Sequence, residues 1–357
     1  VEFGNLIEQC WLHIGLEHTG TTSIQSFLAK NRANLLAQGY FYPKSPGETN
    51  HTDLASFCLD NAKTNDIRIL RGIDRPEAVL ALRAELRANL KQEISGSSAS
   101  TIIFSNEHLS SRLNTPAEFQ RIKRLCGSVA RETKVIVYLR NQVDYLASRY
   151  NIMVKSGGTN EFSFPVTPGV ARLIEYSGLL AKWCDKFGRE NVIVRRFEPD
   201  DFYGGDLLLD FAAQIGFDTT GFQTIPRLNE SLDAASIAFL REFNKHVPRI
   251  VDGRLNPLRG PVISALQSGR SGERFLIPKA TAAEIDEQFR TSNEKVSADF
   301  FGSRFDPLFG PARSVSPANT VPNDTIDSVD AIRIAAHLWT EQQRKLGKRR
   351  GEFTEAE

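Results

Sequence analysis

The sequence predicts an α/β fold: a five-stranded parallel sheet flanked by helices, with a helical extension at its C-terminal end. Three observations predict it. Strand-like apolar runs alternate with helical periodicity through the first two thirds of the chain. Two of these runs, TIIF and VIVYL, are continuously apolar, as central strands covered on both faces require. A glycine-rich turn, Gly15 to Gly20, joins the first strand to the first helix, at the carboxyl edge where sheets of this kind gather their ligands.

Strands are expected at 10–15, 39–43, 101–105, 134–139 and 191–197. The first helix shows its buried face in Ile24, Phe27, Leu28 and Leu35, and Val79, Leu82, Leu86 and Leu90 do the same before the third strand. After the fourth strand, Val143, Leu146, Ala147, Tyr150 and Val154 repeat at i, i+3, i+4, i+7 and i+11. These elements define a core over 1–218. From Thr219 the pattern turns helical, at 231–246, 257–268 and 281–299, and the segment 219–301 is expected to belong to the same domain. A Pro/Ser-rich linker, 302–325, leads to a C-terminal amphipathic helix (326–346) and tail within 326–357. Its apolar positions, Ile326, Val329, Ile332, Ala336 and Trp339, suit docking on the domain or on a second subunit in a homo-oligomer.

Composition excludes several function classes. The chain has 357 residues, of which 41% are hydrophobic, enough for a sizeable core. A formal net charge of +1 excludes a nucleic-acid partner held by bulk charge, so any attraction for anions must be local. No apolar run reaches the ~20 residues that span a bilayer, and no signal-peptide pattern opens the sequence. Cys10, Cys58, Cys126 and Cys184 are far apart with no C-x-x-C, which argues against structural zinc and for reduced thiols in a cytoplasmic protein.

The chemistry concentrates in WLHIGLEHTGTTSIQ, 11–25. An apolar strand runs into Gly15-x-x-x-x-Gly20-Thr21-Thr22 and then into a helix. Glycines let the backbone curl around an oxyanion, and the first N–H groups of the helix point at it unpaired. Hydroxyls of Thr19, Thr21, Thr22 and Ser23 are expected to join this nest. A nucleoside triphosphate loop reads G-x-x-x-x-G-K-[ST], and here Thr21 replaces its lysine. TIIFSNE offers Glu and KVIVYLR offers Arg where a metal-holding Asp would stand, so no magnesium is expected.

HIGLEHTGTTSIQSFL (13–28), with NRANLLAQGYFYP (31–43) behind it, resembles the 5′-phosphosulfate loop and first helix of sulfotransferases that use 3′-phosphoadenosine 5′-phosphosulfate (PAPS). VIVYLRNQVDYLASRYNIMVKSG (135–157) is similar to that family's 3′-phosphate segment, which implies that Arg140 and Ser148 bind this group. The spacing is sensible on its own terms: an arginine at a strand end can fork onto a phosphate, with Ser148 about two helical turns on. The resemblance implies a P-loop-like nucleotide-binding core, sulfuryl transfer from PAPS to a hydroxyl of a saccharide or small metabolite, and release of adenosine 3′,5′-bisphosphate (PAP). It also implies cytosolic supply of the donor, and an acceptor pocket shaped by the segment 219–301. The chain departs from the family at His18, where relatives carry Lys beside the transferring group. An imidazole there can gain a proton beside anions.

Sulfuryl transfer also needs a base for the acceptor hydroxyl. The family uses His or Glu, and the Glu107-His108-Leu109 run after the third strand resembles its His-Leu pair. His108 and Glu107 are both candidates, with His51 a third. If the strand continued through Glu107 and His108, the two would face opposite ways. In relatives an aromatic ring contacts adenine, and Phe197 is the nearest match. DDFYGGDLLLDFAAQIGF (201–217) resembles the next helix of the family.

Two further segments stand out. Ser156 to Gly169, rich in Gly, Thr and Pro, reads as a lid or a mobile loop. Arg83, Arg87 and Lys91, at i, i+4 and i+8, read as a solvated basic face or a contact for an acidic glycan. Two alternatives to a sulfotransferase remain: a P-loop-type kinase, which needs a lysine and a metal site, and a non-catalytic nucleotide-binding relative, consistent with His18.

Overall fold

A computed structural model describes residues 6–63, 66–73, 75–225, 231–252, 254–269, 272–316 and 326–354. In chain order its elements are β1 (Ile7–His13), α1 (Thr21–Lys30), α2 (Arg32–Ala37), β2 (Tyr40–Phe41), α3 (Thr52–Cys58), α4 (Asp66–Leu70), α5 (Pro76–Ser95), β3 (Thr101–Ser105), α6 (His108–Arg112), α7 (Pro116–Val129) and β4 (Ala130–Leu139). There follow α8 (Gln142–Lys155), α9 (Pro168–Ile174), α10 (Tyr176–Phe187), β5 (Val192–Arg196), α11 (Leu207–Ile215), α12 (Ala234–His246), β6 (Ile250–Val251), β7 (Arg254–Leu255), α13 (Arg259–Ser268), α14 (Lys279–Phe301) and α15 (Ser328–Thr354).

The fold class is the expected one, a five-stranded parallel sheet flanked by helices, in the order β2-β3-β1-β4-β5. β1 lies in the middle, with Leu12 beside Phe104 of β3 and Val135 of β4. Four expected strands differ in extent: β1 runs 7–13 rather than 10–15, β5 is trimmed by one residue at each end, and β2 and β4 change most. β2 keeps only Tyr40 and Phe41 in register with Thr101 and Ile102. β4 starts at Ala130, before the apolar run: its first half pairs with β1 alone, because β5 joins only from Val135, so exposed Arg131 and Glu132 are tolerated there.

The chain divides into two compact units, and their boundaries differ from the expected ones. The first comprises Val1–Arg140, Thr167–Leu228 and Thr291–Gly310, and holds the whole sheet. Its core on one side of the sheet joins Trp11, Ile103, Ile136 and Tyr138 to Ile24, Phe27 and Leu28 of α1 and Phe211 and Ile215 of α11. Tyr138 donates to Asp210 on α11 at 2.8 Å, and Arg195 of β5 donates to the same carboxylate from Nε at 3.1 Å, which locks that helix to two strands. Leu308 and Phe309, expected in the linker, are buried here, and Arg196 of β5 donates to the Leu308 carbonyl at 2.7 Å.

Arg83 corrects the reading of a basic helix face. It is buried, and donates to the carbonyls of Phe57 and Leu59, each at 2.8 Å, at the end of α3. Arg68, also buried, donates to the Ser56 and Leu59 carbonyls at 2.7 and 2.8 Å, and Arg121 to that of Cys58 at 2.7 Å. Three guanidinium groups thus satisfy carbonyls that a helix end leaves without partners. Arg87 lies over the Phe57 ring, and Lys91 is exposed.

The second unit comprises Asn141–Val166, Asn229–Arg290 and Pro311–Glu357. In it α8 packs on α12, and α15 on α12 and α13. The five expected apolar positions of α8, from Val143 to Val154, are buried. The expected linker contributes Ser314 and Ser316, which pair through their backbones with Ile277, while its remainder, 317–325, lies outside the described residues. Residues 355–357 of the expected tail also lie outside them. A short hairpin of β6 and β7 had no counterpart in the sequence reading. Cys10, Cys58, Cys126 and Cys184 are free thiols. No described helix is long and apolar enough to cross a membrane, and no cluster of His, Cys, Asp and Glu suited to a metal ion occurs among the described residues.

Candidate functional site

β1 ends at His13, and the Ile14 N–H still donates to the Ile136 carbonyl of β4 at 3.1 Å before the chain turns away from the sheet. The turn needs left-handed backbone at three places: Gly15 at φ 50°, His18 at φ 70° and Gly20 at φ 75°. Both glycines also lie close against neighbouring side chains. A Cβ on Gly15 would lie 2.6 Å from Thr21 Cγ2 and 3.1 Å from Glu107 Cβ, and one on Gly20 would lie 2.3 Å from Leu207 Cδ2.

The buried Thr19 hydroxyl donates to the Leu16 carbonyl at 2.7 Å and accepts from the Leu16 N–H at 3.3 Å. This corrects one expectation: the Thr19 side chain staples the loop rather than facing outward. Thr21 is also buried, with its methyl against Gly15, while Thr22 is exposed and Ser23 half-buried. The N–H groups of Ser23 and Ile24 donate to the Gly20 carbonyl. Those of Gly20, Thr21 and Thr22 have no partner among the described residues, the condition for an anion cradle at the start of α1.

Glu107 and His108 stand beside this loop. β3 ends at Ser105 and the chain turns at once into α6, so the strand alternation that would separate the two side chains does not apply. Glu107 Oε2 accepts from Gln25 Nε2 of α1 at 2.7 Å, and its Oε1 accepts from Asn50 Nδ2 at 3.0 Å. Asn106 in turn donates to Asn50 Oδ1 at 2.6 Å. His108 Nε2 lies 3.9 Å from Glu107 Oε1, and its Nδ1 lies 3.4 Å from Glu17 Oε1. Gln25, Asn50, Asn106 and Glu17 were not singled out from the sequence: each is a polar residue in a helix or loop with no motif of its own.

His51 is removed from the candidate bases. It is fully buried and stacked on Tyr42 at 4.2 Å. Its Nδ1 accepts from the Ser105 N–H at 3.2 Å and its Nε2 donates to the Pro43 carbonyl at 2.9 Å, so neither nitrogen is available. Burial holds its pKa down to about 3. His13 shares this condition: buried, with Nδ1 2.8 Å from Ser105 Oγ, it is held down to about 3 by desolvation.

Arg140 follows the last residue of β4. Its Nη1 donates to the His18 carbonyl at 2.8 Å, tying the loop to the neighbouring strand end. Its guanidinium carbon lies 5.5 Å from the Phe197 ring centre, and its own carbonyl accepts from the Tyr176 hydroxyl at 2.5 Å. Phe197, just past β5, is half-buried; it packs against Phe202 and reaches to 3.4 Å of the Cβ position at Gly20. The loop, Glu107, His108, Arg140 and Phe197 therefore all stand at the carboxyl ends of β1, β3, β4 and β5 within one unit. Ser148 is half-buried on α8 and belongs to the second unit.

The loop from Ser156 is anchored at its start. Asn244 of α12 donates to the Gly158 carbonyl at 2.7 Å, and the Phe162 ring packs against Tyr150 and Phe275 at 5.7 and 5.6 Å.

No protein-family model matches the chain. It is 25% identical over 213 residues to an uncharacterized protein of Archaeoglobus fulgidus, an alignment that covers 57% of this chain and 54% of that protein, so the chain spans about half of this relative's length. One solved structure to which it is similar is that of a sulfotransferase from Alicyclobacillus acidocaldarius, at 17% identity and a TM-score of 0.37, covering 66% of this chain and 91% of that one.

Proposed function

We propose that the chain is a PAPS-dependent sulfotransferase that moves a sulfuryl group to a hydroxyl of a saccharide or small metabolite. The observation that carries this reading is the convergence of an amide cradle lacking a phosphate-loop lysine with a carboxylate–imidazole pair and a strand-end arginine. The cradle fits the donor's 5′ end: Gly15 and Gly20 supply the left-handed turn that exposes the backbone, and the N–H groups of Gly20, Thr21 and Thr22, without partners among the described residues, suit oxyanions. Thr22 and Ser23 can add hydroxyls. Arg140 is assigned to the 3′-phosphate and Phe197 to the face of adenine. Ser148 enters on the resemblance of 135–157 to the family's 3′-phosphate segment alone.

In this reading PAPS supplies the sulfuryl group and leaves as PAP. His108 removes the proton from the acceptor hydroxyl, and Glu107, fixed by Gln25 and Asn50, borders the same space or serves as base itself. His18 stands in for the lysine of the relatives. Its left-handed backbone is a conformation in which histidine is enriched over most residues. No magnesium is assigned a role.

Turnover tests the reading against its alternatives. With labelled PAPS and a panel of hydroxyl acceptors, the proposal expects transfer of label in the presence of EDTA. Binding of PAP without transfer to any acceptor would favour a non-catalytic relative, and transfer of phosphate from magnesium ATP a kinase.

A further inference from the structure

Glu17 sits where the proposed chemistry has no use for a carboxylate. It lies inside a loop that gathers N–H groups for an anion, and a fixed negative charge there opposes phosphosulfate. The side chain is turned toward α6 instead. Its Oε1 accepts from Ser111 Oγ at 3.0 Å and lies 3.4 Å from His108 Nδ1 and 3.7 Å from Arg112 Nη1. Burial acts to raise the Glu17 carboxyl, but the neighbouring His108, Arg112 and His18 outweigh it and hold the group down at about 2.

The two nitrogens of His108 consequently meet different surroundings. Nδ1 is buried and faces, at 3.4 Å and without a formed hydrogen bond, a carboxylate that stays ionised. Nε2 is 3.9 Å from Glu107, beyond hydrogen-bond distance, and that carboxylate already accepts from Gln25 and Asn50. We infer that Glu17 is a positioning residue that keeps the hydrogen of neutral His108 on Nδ1 and so presents the Nε2 lone pair as the proton acceptor. When Nε2 takes the proton of the acceptor hydroxyl, the resulting imidazolium stands beside an ionised carboxylate and is stabilised by it. The anion loop and the base are thereby joined through one side chain. The inference rests on the sulfuryl-transfer reading for the source of that proton, whereas the tautomer does not depend on it.

The test uses the full chain with 15N-labelled histidine, as wild type and as Glu17→Met, which has similar length and no acceptor. The wild type should show neutral His108 with hydrogen on Nδ1, and Glu17→Met should lose that pattern. PAP affinity of the variant should stay the same or tighten by up to about tenfold, since a repelling charge is gone, while kcat falls roughly 10- to 100-fold at little changed KM. Opposite signs for binding and rate distinguish positioning from a scaffold role, in which affinity, rate and melting temperature fall together. That last result, or an unchanged tautomer in the variant, would overturn the inference. Should Glu17→Met not fold, hydrogen on Nε2 in the wild type overturns it and hydrogen on Nδ1 supports it. Failure of the wild type to bind PAP or transfer sulfate defeats the functional reading instead, and leaves the tautomer measurement to decide the role of Glu17.

Discussion

Lowering the pH from about 7.5 to about 5 should cost this protein roughly 4 kcal/mol of stability, because His13 and His51 are buried as neutral rings. Both are held at about 3 in the folded chain against an ordinary 6.5, by desolvation. The unfolded chain takes up a proton on each ring as pH falls through 6.5, and the folded chain does not. The stabilisation is therefore complete above that value and drains away toward 3. At a pH near 5 each ring accounts for about 2 kcal/mol, the free energy of protonating a free imidazole about 1.5 units below its pKa. Glu17 does not confuse this window: its contribution holds above the ordinary 4.5 and is lost only as pH falls toward about 2. Asp53, whose carboxyl burial raises despite the Arg71 charge, acts in the opposite sense at lower pH. Urea unfolding at the two pH values measures the loss. His51→Gln, less stable at neutral pH, should lose about 2 kcal/mol less than the wild type over the same interval. A wild-type change under about 1 kcal/mol, or a variant that keeps the full slope, would refute the assignment of neutral, committed rings.

Gly15→Ala should cost about 2–4 kcal/mol in denaturant unfolding, from left-handed strain plus the 2.6 Å approach to Thr21, and should abolish detectable PAP binding by calorimetry. Arg83→Met should lose roughly 1–3 kcal/mol by stranding the Phe57 carbonyl, while the Leu59 carbonyl keeps its bond from Arg68, and Lys91→Ala, on the exposed side of α5, should stay within about 0.5 kcal/mol. Arg140→Ala should weaken PAP about tenfold or more and 5′-AMP, which lacks the 3′-phosphate, by less, since the arginine also holds the His18 carbonyl of the loop.

The sheet was legible in the sequence because its central strands are apolar on both faces: TIIF and VIVYL need no partner to be recognised. The polar half of β4 was not, since Arg131 and Glu132 are permitted only because β5 starts further along. The glycine turn was legible for a stereochemical reason, as Gly15 and Gly20 occupy left-handed backbone that most residues avoid. Arg83 was misread as part of a basic face because spacing along a helix says nothing of carbonyls arriving from elsewhere, here the end of α3. His51 carried the chemistry of a base by type alone, and only the Ser105 and Pro43 backbones disclose that both nitrogens are spent. Glu17, Gln25 and Asn50 acquire meaning from contacts across 91, 82 and 57 positions of sequence to His108 and Glu107, which no local pattern records. The two units were not legible for the same reason, since each gathers three separate stretches of chain.

The central claim is that the amide cradle and Arg140 grip one adenosine ligand bearing phosphates at both ends. Calorimetric titration of the wild type with PAP in EDTA tests it most directly. The account predicts saturable, micromolar or tighter binding that survives removal of divalent metal, is lost in Gly15→Ala and is weakened about tenfold or more in Arg140→Ala. Absence of binding by PAP together with saturable binding of magnesium ATP would contradict it.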